Sequence, residues 1–465
     1  MDTQNQILMS LNFTKIHLIA IGGSIMHNLA IALKNNGITI SGSDDNFFEP
    51  SLTNLKNADI LPEKTGWDAT KITSDLDCII VGMHAKADNP ELLKAQELDL
   101  KVYSFPDFIK EQSKNKQRVV IAGSHGKTTI TSMIMHTLKY HGKAFDYLVG
   151  AQLKGFETMV QLSDAPLIVV EGDEYATSPL DNTPKFLKYN HHITLISGIA
   201  WDHANVFPTM DDYIKPFEKL VTATPKSGSI IYNEEDSMTT AICESYENTD
   251  VKKFKYTYPK YEIKDEKTYI YDQDDHAVPL NVFGQHNLAN LSGAKLVCNR
   301  IGITDAMFYE AIQSFEGAGK RLEFMGEKNG VKVFKDFAHA PSKLAATFSA
   351  VKEQFAPKEV IPVYELHTFS SFDEDFLAQY KESFQGSKNA IVLLDDEVKL
   401  RKGNEAITDD LIKQKFNNPA IKVLHNQSEF KSALQEVQWD NKVLLVMSSG
   451  GLTGLSFNEI IDLIN

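Results

Sequence analysis

A buried strand that runs into a glycine-containing turn and then into an amphipathic helix constrains this chain more than any other segment. It reads Arg118-Val-Val-Ile-Ala-Gly-Ser-His-Gly-Lys-Thr-Thr129 and continues as ITSMIMHTLKYHG. A strand feeding a helix in this way predicts a parallel sheet with crossover helices, hence an α/β fold. Gly123 and Gly126 let the backbone curl, so that amides from Gly123, Ser124, His125, Gly126, Lys127, Thr128 and Thr129 face inward at the positive end of the helix dipole. Such a turn cradles phosphate. Lys127 has the reach for terminal phosphates, and the Thr128 hydroxyl suits Mg²⁺. The loop is shorter than the GxxxxGK[ST] form, because Ile121 stands where that form has its first glycine. A plain strand–turn–helix junction with a surface lysine is the alternative.

Charge sharpens that expectation. Lys+Arg 47 against Asp+Glu 62 gives a net −15, a field that repels nucleic acid and anionic membranes. An anion site must therefore be built locally, from backbone amides and a few placed cations. Cys78, Cys243 and Cys298 lie far apart with no CxxC pair, which argues for free thiols in a reducing compartment rather than a disulfide framework or zinc site. No basic n-region with a cleavage site opens the chain, and no apolar run approaches the ~18 residues of a membrane helix. A cytoplasmic protein is expected.

The length of 465 residues implies two to four domains. Strand–helix alternation begins at Lys15–Ile21 and continues through Gly37–Ile40, Asp77–Gly82 and Lys101–Ser104. The polar run 110–117 reads as a linker. The pattern restarts at Arg118–Ala122, with Pro166–Glu171 and His192–Ser197 as buried strands. Residues 225–282 are Tyr- and Lys-rich with strand-like alternation, and read as an antiparallel excursion attached to this second sheet. A third restart runs from Gly330–Asp336 through Glu359–Tyr364, Asn389–Leu394, Ile421–Leu424 and Lys442–Met447. Three α/β domains in series are predicted: 1–112 Rossmann-like, 113–321 built on the phosphate loop, and 322–465 Rossmann-like again.

The GSHGKTT loop resembles the short phosphate loop of the Mur ligases and their folylpolyglutamate synthetase relatives. Further matches follow in family order: Val169-Val-Glu-Gly-Asp-Glu-Tyr175, Trp201-Asp-His-Ala-Asn205, Gly284-Gln-His-Asn-Leu-Ala-Asn290, Gly319-Lys-Arg-Leu-Glu323 and Asp336-Phe-Ala-His-Ala-Pro341. The resemblance implies an ATP- and Mg²⁺-dependent ligase that activates a carboxylate as an acyl phosphate and passes it to an amine. It implies Glu171 and His203 as metal ligands beside Thr128, and Lys127, Glu171, His203 and Arg321 as the catalytic set. His286, Asn287 and Asn290 would lie at the nucleotide, with Arg321 on the transferring phosphate, Asp336 on the ribose and His339 near it. On the residues alone, the alternatives are an exposed strand-end acid for Glu171, a packed or capping residue for His203, a helix cap for Asn287, a surface arginine for Arg321, and parts of a neutral turn for Asp336 and His339.

Several Mur ligases carry a carbamoylated lysine fourteen residues after that histidine, and the position here is Phe217. Its lack is similar to the branches that use UDP-N-acetylmuramate as carboxylate donor. Ile19-Ala-Ile-Gly-Gly-Ser-Ile-Met26 resembles their GIGGxGM, with Ala20 and Ile25 replacing two glycines. This implies a UDP-sugar site from Gly22, Gly23, Ser24, Met26, Ser43, Asp44 and His84. Asp44, about twenty residues on, fits a ribose-binding acid, although a loop aspartate fits as well. The resemblance implies L-alanine or the recovered tripeptide L-Ala-γ-D-Glu-meso-diaminopimelate as the acceptor. GDEYATS, WDHANVF, GMHAKADNP, DFAH and MSSGGLTG are more similar to users of the tripeptide. Ala340 and Thr368 depart from the family pattern, where a histidine and an arginine are expected. A nicotinamide-dependent dehydrogenase built on residues 15–44, or a sugar-nucleotide sensor without turnover, are the rivals. A monomer or weak homodimer, without nucleic acid or membrane as partner, is expected.

Overall fold

The computed structural model describes residues 13–201, 206–319, 321–368, 370–402 and 407–465. The chain divides into two compact units: residues up to Tyr258 together with Ala289–Ile312, and Pro259–Leu288 together with Gln313–Asn465. No described helix is long and apolar enough to cross a membrane.

The first unit holds two sheets. The N-terminal sheet is wholly parallel, in the order Thr39–Ser43, Lys15–Ile19, Cys78–Val81, Val102–Ser104. The second has seven strands, in the order Lys252–Tyr256, Ser229–Asn233, Ile193–Ile196, Gln117–Ala122, Leu167–Glu171, Asp146–Leu148, Val160–Gln161. All neighbours are parallel except the last pair. Central strands read as unbroken apolar runs because helices cover both faces; Ile193–Ile196 and the first four residues of Leu167–Glu171 are buried throughout. Their carboxyl ends deliver the Gly123 turn, Glu171 and Ser197 to one edge, where open α/β sheets place their ligands.

The second unit is built on a six-stranded sheet, in the order Glu323–Lys328, Val331–Asp336, Lys442–Met447, Glu359–Glu365, Ile391–Leu393, Lys422–Leu424, antiparallel only at the first pair. Its side chains alternate between two apolar layers, Phe334, Tyr364 and Leu445 on one face and Val333, Val363 and Leu444 on the other.

Two expectations need correction. The excursion does not attach to the second sheet as antiparallel strands: Ser229–Asn233 and Lys252–Tyr256 extend that sheet in parallel. The antiparallel part is a separate sheet of Tyr261–Lys264, Lys267–Tyr271 and Ala277–Leu280. It belongs to the second unit, where Thr268 donates to Gln354 at 2.7 Å and Glu266 pairs with Lys332 and Lys358 at 2.5 and 2.7 Å. Alternation announces a strand but not its partner, which long-range contacts choose. The run 110–117 is also no free linker. Helix Phe105–Gln112 takes its first residues, Lys116 is buried against Asp146 at 2.9 Å, and the Arg118 guanidinium donates to the carbonyls of Ser113, Lys114 and Lys116.

His191 sits almost fully buried at the foot of strand Ile193–Ile196, its Nε2 2.8 Å from the Thr224 hydroxyl. Burial first, then the charges of His192 and Arg118, push its pKa down to about 4 from 6.5. The folded chain therefore binds fewer protons than the unfolded one between about pH 6.5 and pH 4. Stability should fall as the pH drops through that window, with this one histidine contributing up to ~1.4 kcal/mol per pH unit. Urea midpoints at pH 7, 5.5 and 4.5 check this. His191→Gln should flatten the slope, and an unchanged slope would remove His191 as a cause.

Candidate active site

Gly123 and Gly126 both have left-handed backbone, φ +124° and +78°, which side-chain-bearing residues avoid. A methyl at Gly126 would collide with the Asn290 side chain, and one at Gly123 with Ser197. The turn is thereby pressed against two neighbours before helix Lys127–Tyr140 begins. Asn290, on helix Gln285–Arg300, thus lies against the loop. The Ser197 hydroxyl donates to the carbonyls of His125 and Ala122, and Ser124 N donates to the Gly198 carbonyl at 2.9 Å.

Lys127 Nζ lies 2.5 Å from the Gly123 carbonyl and 3.2 Å from Glu174 Oε2. Burial alone would lower the lysine pKa, but the carboxylates of Glu174, Asp173 and Glu171 outweigh it and the net direction is up. The ammonium stays charged at neutral pH. Thr128 Oγ1 donates to Glu171 Oε1 at 2.9 Å, and the Gly150 amide donates to Glu171 Oε2 at 2.7 Å. A methyl at Gly150 would press on that carboxylate, so the glycine leaves room for it. Hydroxyl plus carboxylate is a hard-oxygen donor set, which fits Mg²⁺ and not a thiophilic metal. Ser124, Thr128 and Thr129 are buried, while His125, Gly126 and Lys127 are half-buried. His203 lies outside the described residues.

Sequence reasoning missed three residues here. Glu174, 2% exposed, is the partner of Lys127. Tyr213, fully buried, donates to Glu174 Oε1 at 3.0 Å and lies 2.9 Å from Ser124 Oγ. Ser197 braces the loop. Only Glu174 left a trace in the sequence, as the third acid of the run Glu171-Gly-Asp-Glu174; nothing local marks Tyr213 or Ser197. Phe217, one turn beyond Tyr213 on helix Met210–Thr222, is fully buried against Phe186 and Tyr213, with ring centroids 5.4 and 5.5 Å away.

In the N-terminal sheet the Gly22 amide donates to Asp44 Oδ2 at 2.7 Å, and a methyl on Gly22 would strike that oxygen. Burial first, then Asp45 beside it, push the Asp44 pKa up. Ser43 is buried and accepts from Lys71 Nζ at 3.0 Å. Gly23 precedes helix Ser24–Asn35, Ser24 is exposed, and Met26 is buried against Gly82 as part of the core. His84 is exposed.

In the second unit, Asn287 Nδ2 donates to the Phe283 carbonyl at 3.0 Å and ties down the first helical turn. Burial takes the His286 pKa down to about 4, and the ring lines a cavity of about 700 Å³ with Ser349, Lys352 and Glu353. Asp336 accepts from Leu322 N, Ala338 N and Thr347 Oγ1 at 2.6, 2.7 and 3.3 Å, so its carboxylate anchors the turn itself. The Arg321 guanidinium lies 5.0 Å over the Phe337 ring. His339 Nδ1 is 2.9 Å from the Phe337 carbonyl, and its own carbonyl accepts from Tyr364 and Tyr380. Ala340 caps helix Pro341–Gln354 without a side-chain bond, and Thr368 opens the short helical turn Ser370–Phe372 by accepting from Ser371 N.

A phosphate loop backed by a strand-end acid, in a chain with three α/β sheets, defines an ATP-using enzyme, and the family models agree. Residues 15–117 match the Mur ligase family catalytic domain, 121–298 the Mur ligase middle domain, and 320–450 the Mur ligase glutamate ligase domain. The UDP-N-acetylmuramate–L-alanine ligase of Caldicellulosiruptor bescii is 32% identical over 81% of this chain and 83% of its own. The UDP-N-acetylmuramate–L-alanyl-γ-D-glutamyl-meso-2,6-diaminoheptandioate ligase of Haemophilus influenzae is 28% identical over 73% and 76%. A crystal structure of UDP-N-acetylmuramate–alanine ligase from Thermotoga maritima superposes with a TM-score of 0.67, at 20% identity, over 94% of this chain and 96% of that one. The chain belongs to the Mur ligase family, whose members are ATP-dependent, ADP-forming ligases.

Proposed function

We propose that this chain joins UDP-N-acetylmuramate to the tripeptide L-Ala-γ-D-Glu-meso-diaminopimelate, forming an amide by way of an acyl phosphate. The observation that carries the chemistry is the Lys127–Glu174 and Thr128–Glu171 pairing on one phosphate loop. A carboxylate is a poor acceptor for an amine until it is phosphorylated, and two anions must be held together while charge moves onto the leaving phosphate. Lys127 and backbone amides of the loop Gly123–Thr129, other than that of Ser124, which is taken by the Gly198 carbonyl, would stabilise the terminal phosphates. Thr128, Glu171 and His203 would hold Mg²⁺, which neutralises phosphate charge when bound. Asn290 would fix the loop against the nucleotide, and Arg321, Asp336, His339, His286 and Asn287 remain its proposed partners in the second unit. The N-terminal domain, proposed as residues 1–112, would take the UDP-sugar at Gly22, Gly23 and Asp44.

The tripeptide reading rests on the segments GDEYATS, WDHANVF and DFAH. The 32% identity to an L-alanine ligase favours a second reading, L-alanine as acceptor in peptidoglycan synthesis rather than recycling. Phosphate release from Mg-ATP and UDP-N-acetylmuramate, with each acceptor in turn, separates them. Release with the tripeptide alone is the expected outcome. Release with L-alanine alone moves the chain to the second reading, and release with neither refutes both.

A further inference from the structure

Tyr213 belongs to none of the motifs that carry the family resemblance, yet its hydroxyl joins three parts of the site. A carboxylate can only accept, so Tyr213 must donate to Glu174 Oε1. The Ser124 hydroxyl must then donate to the Tyr213 oxygen, and the Ala200 amide donates to Ser124 Oγ at 2.9 Å. The bonds thus run in one direction, from the Ala200 amide through Ser124 and Tyr213 to Glu174. Glu174 presents its other oxygen to Lys127. Ser124, Tyr213 and Glu174 are 8%, 0% and 2% exposed, so little water competes for these bonds.

We infer that Glu174 and Tyr213 are positioning residues for the nucleotide phosphates: Glu174 occupies Lys127 as an internal anion, and Tyr213 sets how tightly it does so. This rests on the phosphate loop binding ATP. A β- or γ-phosphate reaching Lys127 has to take the ammonium from Glu174, and the Glu174 charge opposes its approach. The Tyr213 hydroxyl spreads that charge by engaging one carboxylate oxygen. Without the hydroxyl, both oxygens turn to the lysine and the competition hardens. Glu174→Gln removes the competing charge, whereas Tyr213→Phe strengthens it while keeping the ring that packs on Phe207 and Phe217. The two substitutions therefore shift nucleotide affinity in opposite directions, which damage to the fold would not do.

The test is calorimetric titration of the full chain with ADP and Mg²⁺, repeated with AMP, which has no β-phosphate. Glu174→Gln should bind ADP roughly tenfold more tightly, the scale of one bond to a charged group. Tyr213→Phe should bind it about 2- to 10-fold more weakly, the scale of one neutral bond. The AMP affinities of both variants should stay near that of the unaltered chain. Weaker ADP binding in both variants, or equal changes for ADP and AMP, would overturn the inference. So would unchanged ADP affinity in Glu174→Gln, which is decisive even if Tyr213→Phe fails to fold. An unaltered chain that bound no ADP would instead refute the phosphate-loop reading on which the inference rests.

Discussion

Lys127→Ala should lower ATP-dependent phosphate release by at least about 10²- to 10³-fold, the loss seen when one preorganised charge-stabilising donor is removed. The lysine is held by the Gly123 carbonyl at 2.5 Å and by Glu174 at 3.2 Å, at the N-terminus of helix Lys127–Tyr140. No neighbouring cation on this loop can replace it, since residues 123–129 contain no other lysine or arginine. The substitution also strands the buried Glu174 carboxylate, and breaking a buried pair from one side costs about 3–5 kcal/mol. Lost activity could then reflect lost fold. The double variant Lys127→Ala, Glu174→Gln separates the two causes by removing the stranded charge. Thermal stability should largely return in the double variant while turnover stays at the level of the single one. Turnover near that of the unaltered chain in either variant would dismiss Lys127 as the phosphate ligand.

Phe217→Ala should destabilise the first unit by about 3–5 kcal/mol, the usual cost of emptying a phenylalanine site in a core. The ring is fully buried on helix Met210–Thr222, which the Thr209 side chain caps by accepting from Asp212 N at 3.1 Å. It packs edge-on to Tyr213 and tilted to Phe186. Against a total stability of about 5–15 kcal/mol, the loss is large. The melting temperature should fall by roughly 6–20 °C at ~2–4 °C per kcal/mol. Phe217→Lys should be worse, because it sets an ammonium among aromatic rings. Scanning calorimetry reads both, and a fall of less than about 2 °C for Phe217→Ala would show that the ring is not the packed core described. The same packing explains why a family position that elsewhere carries a modified lysine cannot carry one here without rebuilding the helix.

The strands Gln117–Ala122, Leu167–Glu171 and Lys442–Met447 were legible because each is a short apolar run bounded by polar residues. The phosphate loop was legible for a different reason: its function needs glycines and a lysine at fixed spacing along one stretch of chain. The contact of Asn290 with Gly126 was not announced by any local pattern, only by the tertiary fold. Asn287 and Asp336 likewise make contacts that the motifs did not announce, with their side chains tied to their own backbone turns. The sheet of residues 261–280 shows it again. Its alternating side chains announce strands, but its place in the second unit comes from Gln354, Lys332 and Lys358, which lie 60 to 100 residues further along.

What the sequence determined by itself, then, is everything encoded within one element and its flanking turns: the α/β class, the phosphate loop, the strand-end acid Glu171, and a resemblance carried by ordered motifs. Tertiary structure alone decided that Glu174 would hold Lys127, that Tyr213 would hold Glu174, and that Ser197 would brace the loop. Those contacts join residues 39 to 75 positions apart. Their energy depends on burial and on distances of about 3 Å. Neither is written in local composition, and both appear only when strands from different parts of the chain end at the same edge of one sheet.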